Sequence, residues 1–112
     1  MTEKQLAHIV YFTLHDRSPE RVEQLLTACR HYLTGHNGTV HFSVGTLVQD
    51  LEREVNQRDF DVALHVLFAD RQSHDLYQVS ERHQEFIALN RDNWSQVRVF
   101  DSYLDQPAEN IS

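Results

Sequence analysis

Cysteine, proline and glycine are all scarce in this chain of 112 residues, at one, two and three positions. The single thiol, Cys29, excludes an intramolecular disulfide, and its place in a helical apolar stripe reads as a small core residue. No linker, internal repeat or low-complexity tract divides the sequence. Positive charge is also in short supply, with 10 Lys and Arg against 17 Asp and Glu and a formal net charge of −7. The basic residues are scattered, which argues against a nucleic-acid surface or an anionic-lipid anchor. No apolar run approaches the roughly 20 residues of a membrane helix. Met1–Ala7 is polar and is not followed by the apolar core of a signal peptide, so the expectation is a reduced, cytoplasmic chain.

What is present is the composition of a globular domain, 40% hydrophobic and 10% aromatic. The length predicts one domain over residues 1–105, followed by a polar tail at 106–112. A chain of this size buries about 60–70% of its unfolded surface, a modest core that self-association would enlarge.

His8–Leu14 alternates, with His8, Val10, Phe12 and Leu14 on one side and Ile9, Tyr11 and Thr13 on the other, which is strand periodicity. Ser18-Pro19-Glu20 reads as a capped helix start, and Val22, Leu25, Leu26, Cys29, Tyr32 and Leu33 follow at helical spacing. Gly35 ends that helix and opens a loop to Thr39. A second strand runs through Val40, Phe42, Val44 and Val48, and Gln49–Asp59 forms a long, charged hairpin connection. The third strand has Phe60, Val62, Leu64, Val66 and Phe68 on its inner face, and Ala63, His65 and Leu67 on its back. Helical periodicity returns from about Asp70 to Arg91, with Leu76, Val79, Phe86 and Ile87 as its buried stripe. A fourth strand covers Val97–Tyr103.

The order β-α-β-β-α-β predicts an α+β, ferredoxin-like fold, with two helices on one face of a four-stranded antiparallel sheet. The other face also carries apolar side chains: Ile9, Tyr11, Leu47, Leu67, Phe100 and Leu104. That is more than a monomer usually leaves wet. Packing two such sheets together predicts a homodimeric α/β barrel. His41 and His65 lie on that face and would make the contact sensitive to pH.

Several of these residues, in this order, resemble the stress-responsive dimeric α/β-barrel (Dabb) family over nearly the whole chain. They are His8-Ile9-Val10, Phe42-Ser43-Val44-Gly45, Phe60-Asp61, Tyr77 with His83, and Phe100-Asp101-Ser102-Tyr103. The resemblance implies a ferredoxin-like subunit and a barrel-forming homodimer. Many members have no established activity and are known as stress-induced stable proteins. A plant member, olivetolic acid cyclase, closes a polyketide chain by aldol condensation without a metal. This sequence is similar to its active-site pattern at His8, Tyr77 and His83, with Asp101 as the acidic neighbour. Ser80-Glu81 stands where the family often has His-Pro, and Tyr32 or no residue corresponds to a tyrosine on the first helix.

Three polar residues stand where apolar ones are expected: His8 in the first strand, Asp101 in the fourth, and His83 in the stripe of the second helix. Ionisable groups facing a core are costly unless paired or solvated. They form either a buried hydrogen-bonded network or the polar end of a pocket. In an unbroken helix Tyr77 and His83 would stand about 120° apart. They converge if the helix breaks, with Ser80 capping a restart. The first and fourth strands are neighbours in this fold, so His8 and Asp101 should pair on the helix-facing side. A His–carboxylate pair fixes the imidazole tautomer, His83 would move a proton, and Tyr77 would polarise a carbonyl. That is the equipment for proton abstraction next to a carbonyl, as in aldol or enolisation chemistry.

The eight histidines otherwise give no metal motif. There is no H-E-x-x-H, His31, His36 and His41 fall on different elements, and His74 and His83 are assigned to opposite sides of one helix. No metal or cofactor is expected. The competing readings are a non-enzymatic stable dimer with structural polar residues, and a cofactor-free barrel monooxygenase acting on an aromatic substrate. The partners expected are a second copy of the chain and a small apolar or aromatic carbonyl compound, with neither nucleic acid nor membrane.

Overall fold

Alternation in the first strand sorts the chain into two layers. The computed structural model describes residues 3–105, so the segment expected as a polar tail lies outside them. β1 (Leu6–Leu14) turns Leu6, His8, Val10, Phe12 and Leu14 into the interior, all buried. α1 (Pro19–Tyr32) starts where Ser18 accepts a hydrogen bond from the Arg21 N–H, with Pro19 in the first turn. Its buried face carries Leu25 and Cys29. β2 (Thr39–Thr46) and β3 (Val62–Phe68) follow, then α2 (Arg71–Val79), α3 (Glu81–Asn90), a short 3-10 turn and β4 (Trp94–Tyr103).

The four strands form one antiparallel sheet in the order β2-β3-β1-β4, with the helices packed on one face, which is the ferredoxin-like arrangement. The core lies between them, built from Phe12, Val62, Leu64, Val66 and Phe68 of the sheet and Leu25, Cys29, Leu33, Tyr77 and Phe86 from the helical layer. Cys29 is fully buried and its thiol is pushed up to about 12 by desolvation, as suits a core residue. No helix among the described residues is long and apolar enough to cross a membrane.

Five positions depart from the sequence expectation, one of them Val48, which lies beyond the end of β2 at Thr46 and is exposed. The second helix is two helices, so the order is β-α-β-β-α-α-β. Leu76 and Val79 were expected in the buried stripe but are 60% and 65% exposed, because that stripe assumed one continuous helix. Phe60 leaves the inner face and stacks on Tyr11 at 4.8 Å, on the opposite face of the sheet. It precedes β3, so the strand's alternation does not bind it. Val40 is half exposed because the β2–β3 register shifts between Thr39 and His41.

Candidate active site

Ser80 sets the geometry. Its extended backbone (φ −68°, ψ 153°) cannot continue α2. Its hydroxyl donates to the Tyr77 carbonyl at 2.9 Å and accepts from the His83 N–H at 3.2 Å. One side chain therefore closes α2 and caps α3. The axis changes direction there, and the rings of Tyr77 and His83 meet edge to face at 4.8 Å.

Tyr77 is 1% exposed and ringed by aromatic groups, with His36 at 4.9 Å, Phe68 at 5.0 Å and His8 at 5.8 Å between centroids. Its hydroxyl is buried without a hydrogen-bond partner among the described residues. Burial also pushes the phenol's pKa up, so it stays protonated. His83 Nδ1 is likewise buried and unpartnered. Desolvation, aided by the nearby imidazoles of His8, His36 and His74, lowers the His83 pKa to about 4. At neutral pH the site therefore holds a protonated phenol beside a neutral imidazole.

The strands deliver the second pair. Register places His8 opposite Asp101, and His8 Nδ1 lies 2.6 Å from the Asp101 carboxylate. Burial lowers the His8 pKa, with the Asp101 hydrogen bond and charge opposing that shift. A neutral His8 then carries its proton on Nδ1 and donates it to Asp101, leaving Nε2 to accept from the Gln78 amide at 3.5 Å.

These groups border a cavity of about 200 Å³ between α3 and the β1–β4 edge of the sheet. His8, Tyr77, Gln78, His83 and Trp94 are its polar lining residues, with Phe86, Val97 and Val99 among its apolar walls. Of the four residues singled out from the sequence, His8, Tyr77 and His83 line this cavity. Asp101 stands behind His8 with its side chain 42% exposed. Tyr32 does not reach the lining.

Three contributors were not read from the sequence as site residues. Gln78 contacts His8, His36 packs on Tyr77, and His74 lies 5.2 Å from the His8 ring. A signal for two of them exists once the helix is ended at Ser80. His74 is one helical turn before Tyr77 and Gln78 is next to it, so both flank the face that Tyr77 buries. His74, His8 and Asp101 together place two imidazole nitrogens and a carboxylate oxygen within 4.8 Å of one another.

Residues 6–104 match the stress responsive A/B barrel domain, Dabb. The chain belongs to the Dabb family. Solved structures agree on the fold. A Dabb-family protein with a ferredoxin-like fold from Mesorhizobium loti superposes with a TM-score of 0.74 at 19% identity, covering 94% of this chain and 100% of that one. A dimeric ferredoxin-like protein of unknown function from Thermobifida fusca gives 0.74 at 17%, over 91% and 92%. The hydroxynitrile lyase of Passiflora edulis gives 0.74 at 16%, over 95% and 98%. No curated protein matches the sequence.

Proposed function

We propose that this Dabb protein is a homodimer whose helix–sheet cavity takes a small aromatic or apolar carbonyl compound and moves a proton at the carbon beside the carbonyl. The observation that carries this reading is the set of polar atoms buried without partners among the described residues on one cavity: the Tyr77 hydroxyl, His83 Nδ1 and Trp94 Nε1. Each such atom costs about 1–3 kcal/mol unless a ligand satisfies it. Tyr77 donates its O–H to the carbonyl oxygen as negative charge develops there. Neutral His83 accepts the α-proton and returns it, or the enolate attacks a second carbonyl in an aldol closure. His8, held by Asp101, borders the same space, with the Gln78 amide on its Nε2.

The volume limits the ligand to about one aromatic ring with short substituents, below the 300–1,000 Å³ of most drug-sized sites. A hydroxynitrile lyase of the same fold supports the view that this scaffold can house small-molecule chemistry. Self-association is supported by the dimeric neighbour and by the apolar sheet face.

Exchange of the methyl protons of 2,4-dihydroxyacetophenone in D2O, followed by proton NMR, tests the reading. The wild type should accelerate exchange, and Tyr77→Phe or His83→Leu should each reduce it by about 10²–10⁴-fold. Exchange no faster than in buffer, or undiminished in both variants, would sink it.

A further inference from the structure

We propose that His8, His74 and Asp101 form a binding site for one divalent transition-metal ion of the zinc or cobalt type. The inference goes beyond the carbonyl reading and does not depend on it. Two imidazoles and one carboxylate, drawn from β1, α2 and β4, suit borderline ions of this class rather than magnesium or calcium, which prefer oxygen alone.

The state of His74 favours the site. Its Nδ1 lies 2.9 Å from the Asp75 carboxylate, and its Nε2 is buried with no partner among the described residues. An imidazole with its one N–H on Nδ1 donates to Asp75 and presents the Nε2 lone pair to an ion. That is the carboxylate–histidine arrangement that commonly stands behind a metal-bound imidazole. The neighbouring cation, Arg71, is held by the same Asp75 at 2.9 Å.

The spacing is within reach of coordination. Donor atoms about 2.0–2.2 Å from a tetrahedral ion stand roughly 3.3–3.6 Å apart. Here His8 and Asp101 are 2.6 Å apart and the widest pair is within 4.8 Å, so shifts of about an ångström suffice. Asp101, on an edge strand and partly exposed, is free to make them. The proton balance closes as well. The Nδ1 proton of His8 gives way to the ion and reappears on Nε2, where a turned Gln78 amide accepts it through oxygen. No net proton is released from His8.

Tag-free protein, stripped with chelator and desalted, is titrated with Co²⁺ by visible absorption and with Zn²⁺ by calorimetry. One ion per chain is expected, with the His8 ¹⁵N resonances moving from the Nδ1–H to the Nε2–H tautomer. His74→Ala should weaken binding by at least about 100-fold and Asp75→Asn by roughly 10–100-fold, whereas His41→Ala on the exposed sheet face should not. If His74→Ala fails to fold, His74→Gln takes its place and the tautomer shift in the wild type is read alone. No saturable uptake, or uptake that the His74 variant retains, would overturn the site. The ketone-exchange assay on stripped protein keeps the two readings apart: its failure with Co²⁺ binding intact sinks only the carbonyl reading, and the converse sinks only the metal site.

Discussion

At the scale of single residues, the cavity is bordered by buried polar groups whose roles substitution can separate. The Tyr77 hydroxyl is buried without a partner among the described residues, so removing it should not harm the fold. Tyr77→Phe is expected to keep or raise stability, by up to about 1 kcal/mol in urea denaturation, while cutting ketone exchange by about 10²–10⁴-fold. His83→Leu should behave the same way, and a loss of about 2 kcal/mol or more would show that the imidazole anchors the structure instead. The pH dependence has a definite sign. The His83 pKa is lowered on folding from 6.5 to about 4, and the His8 pKa shifts in the same direction. The unfolded chain therefore binds more protons between those values, and stability falls as pH drops through about 6.5 to 4. Above that window the two groups contribute no slope. His83→Leu should flatten the acid limb of a stability–pH curve measured by thermal denaturation.

At the scale of elements, the decisive feature is a helix interrupted at one serine. Ser80→Ala removes the hydroxyl that bonds both Tyr77 and His83 and should cost about 0.5–2 kcal/mol, the usual loss for an N-cap. It should also weaken ligand binding followed by the fluorescence of Trp94, the only tryptophan, which lines the cavity. Ser80→Asp, which keeps a capping oxygen, should retain most of the stability. The start of α2 has its own constraint. Gly38 has φ +83°, and a Cβ there would come within 2.0 Å of Ser73 Oγ, beside the Asp70 cap. Gly38→Ala should therefore be markedly destabilising and displace the turn that carries His74, which a lowered Tm would reveal.

At the scale of the whole molecule, the helix-free face of the sheet is unfinished. Phe60 and Phe100 flank Tyr11 there, the Arg98 guanidinium lies 6.0 Å from the Tyr11 ring centroid, and Phe100 is 55% exposed. A second hollow of about 360 Å³ opens between this face and the 47–60 connection, lined by Leu47, Leu51, Val55 and Phe60. Leaving such a surface wet is unfavourable at about 25 cal/mol per Å². Sedimentation equilibrium should give twice the chain mass, and Phe100→Glu should give the monomer with its helix-side cavity intact. A monomeric wild type would remove the barrel from the proposal.

How much of this was legible follows from the range of the forces. Strand alternation, the Ser18 cap, the Cys29 stripe and the Gly35 stop are local signals, and they specify the elements and the ferredoxin-like order. The pairing of His8 with Asp101 was also readable, because topology and a period of two leave one register that buries the apolar set. Phe60, Leu76 and Val79 were misplaced because periodicity says nothing about where an element stops. Local pattern was enough for the four strands, the first helix, their order along the chain and the inward faces of β1 and β3. The residues alone left open whether the helix breaks at Ser80 so that Tyr77 and His83 converge; the folded structure settled that and brought His74 beside His8. Those contacts join residues far apart in sequence or across a helix break, where side-chain packing rather than local propensity sets the outcome.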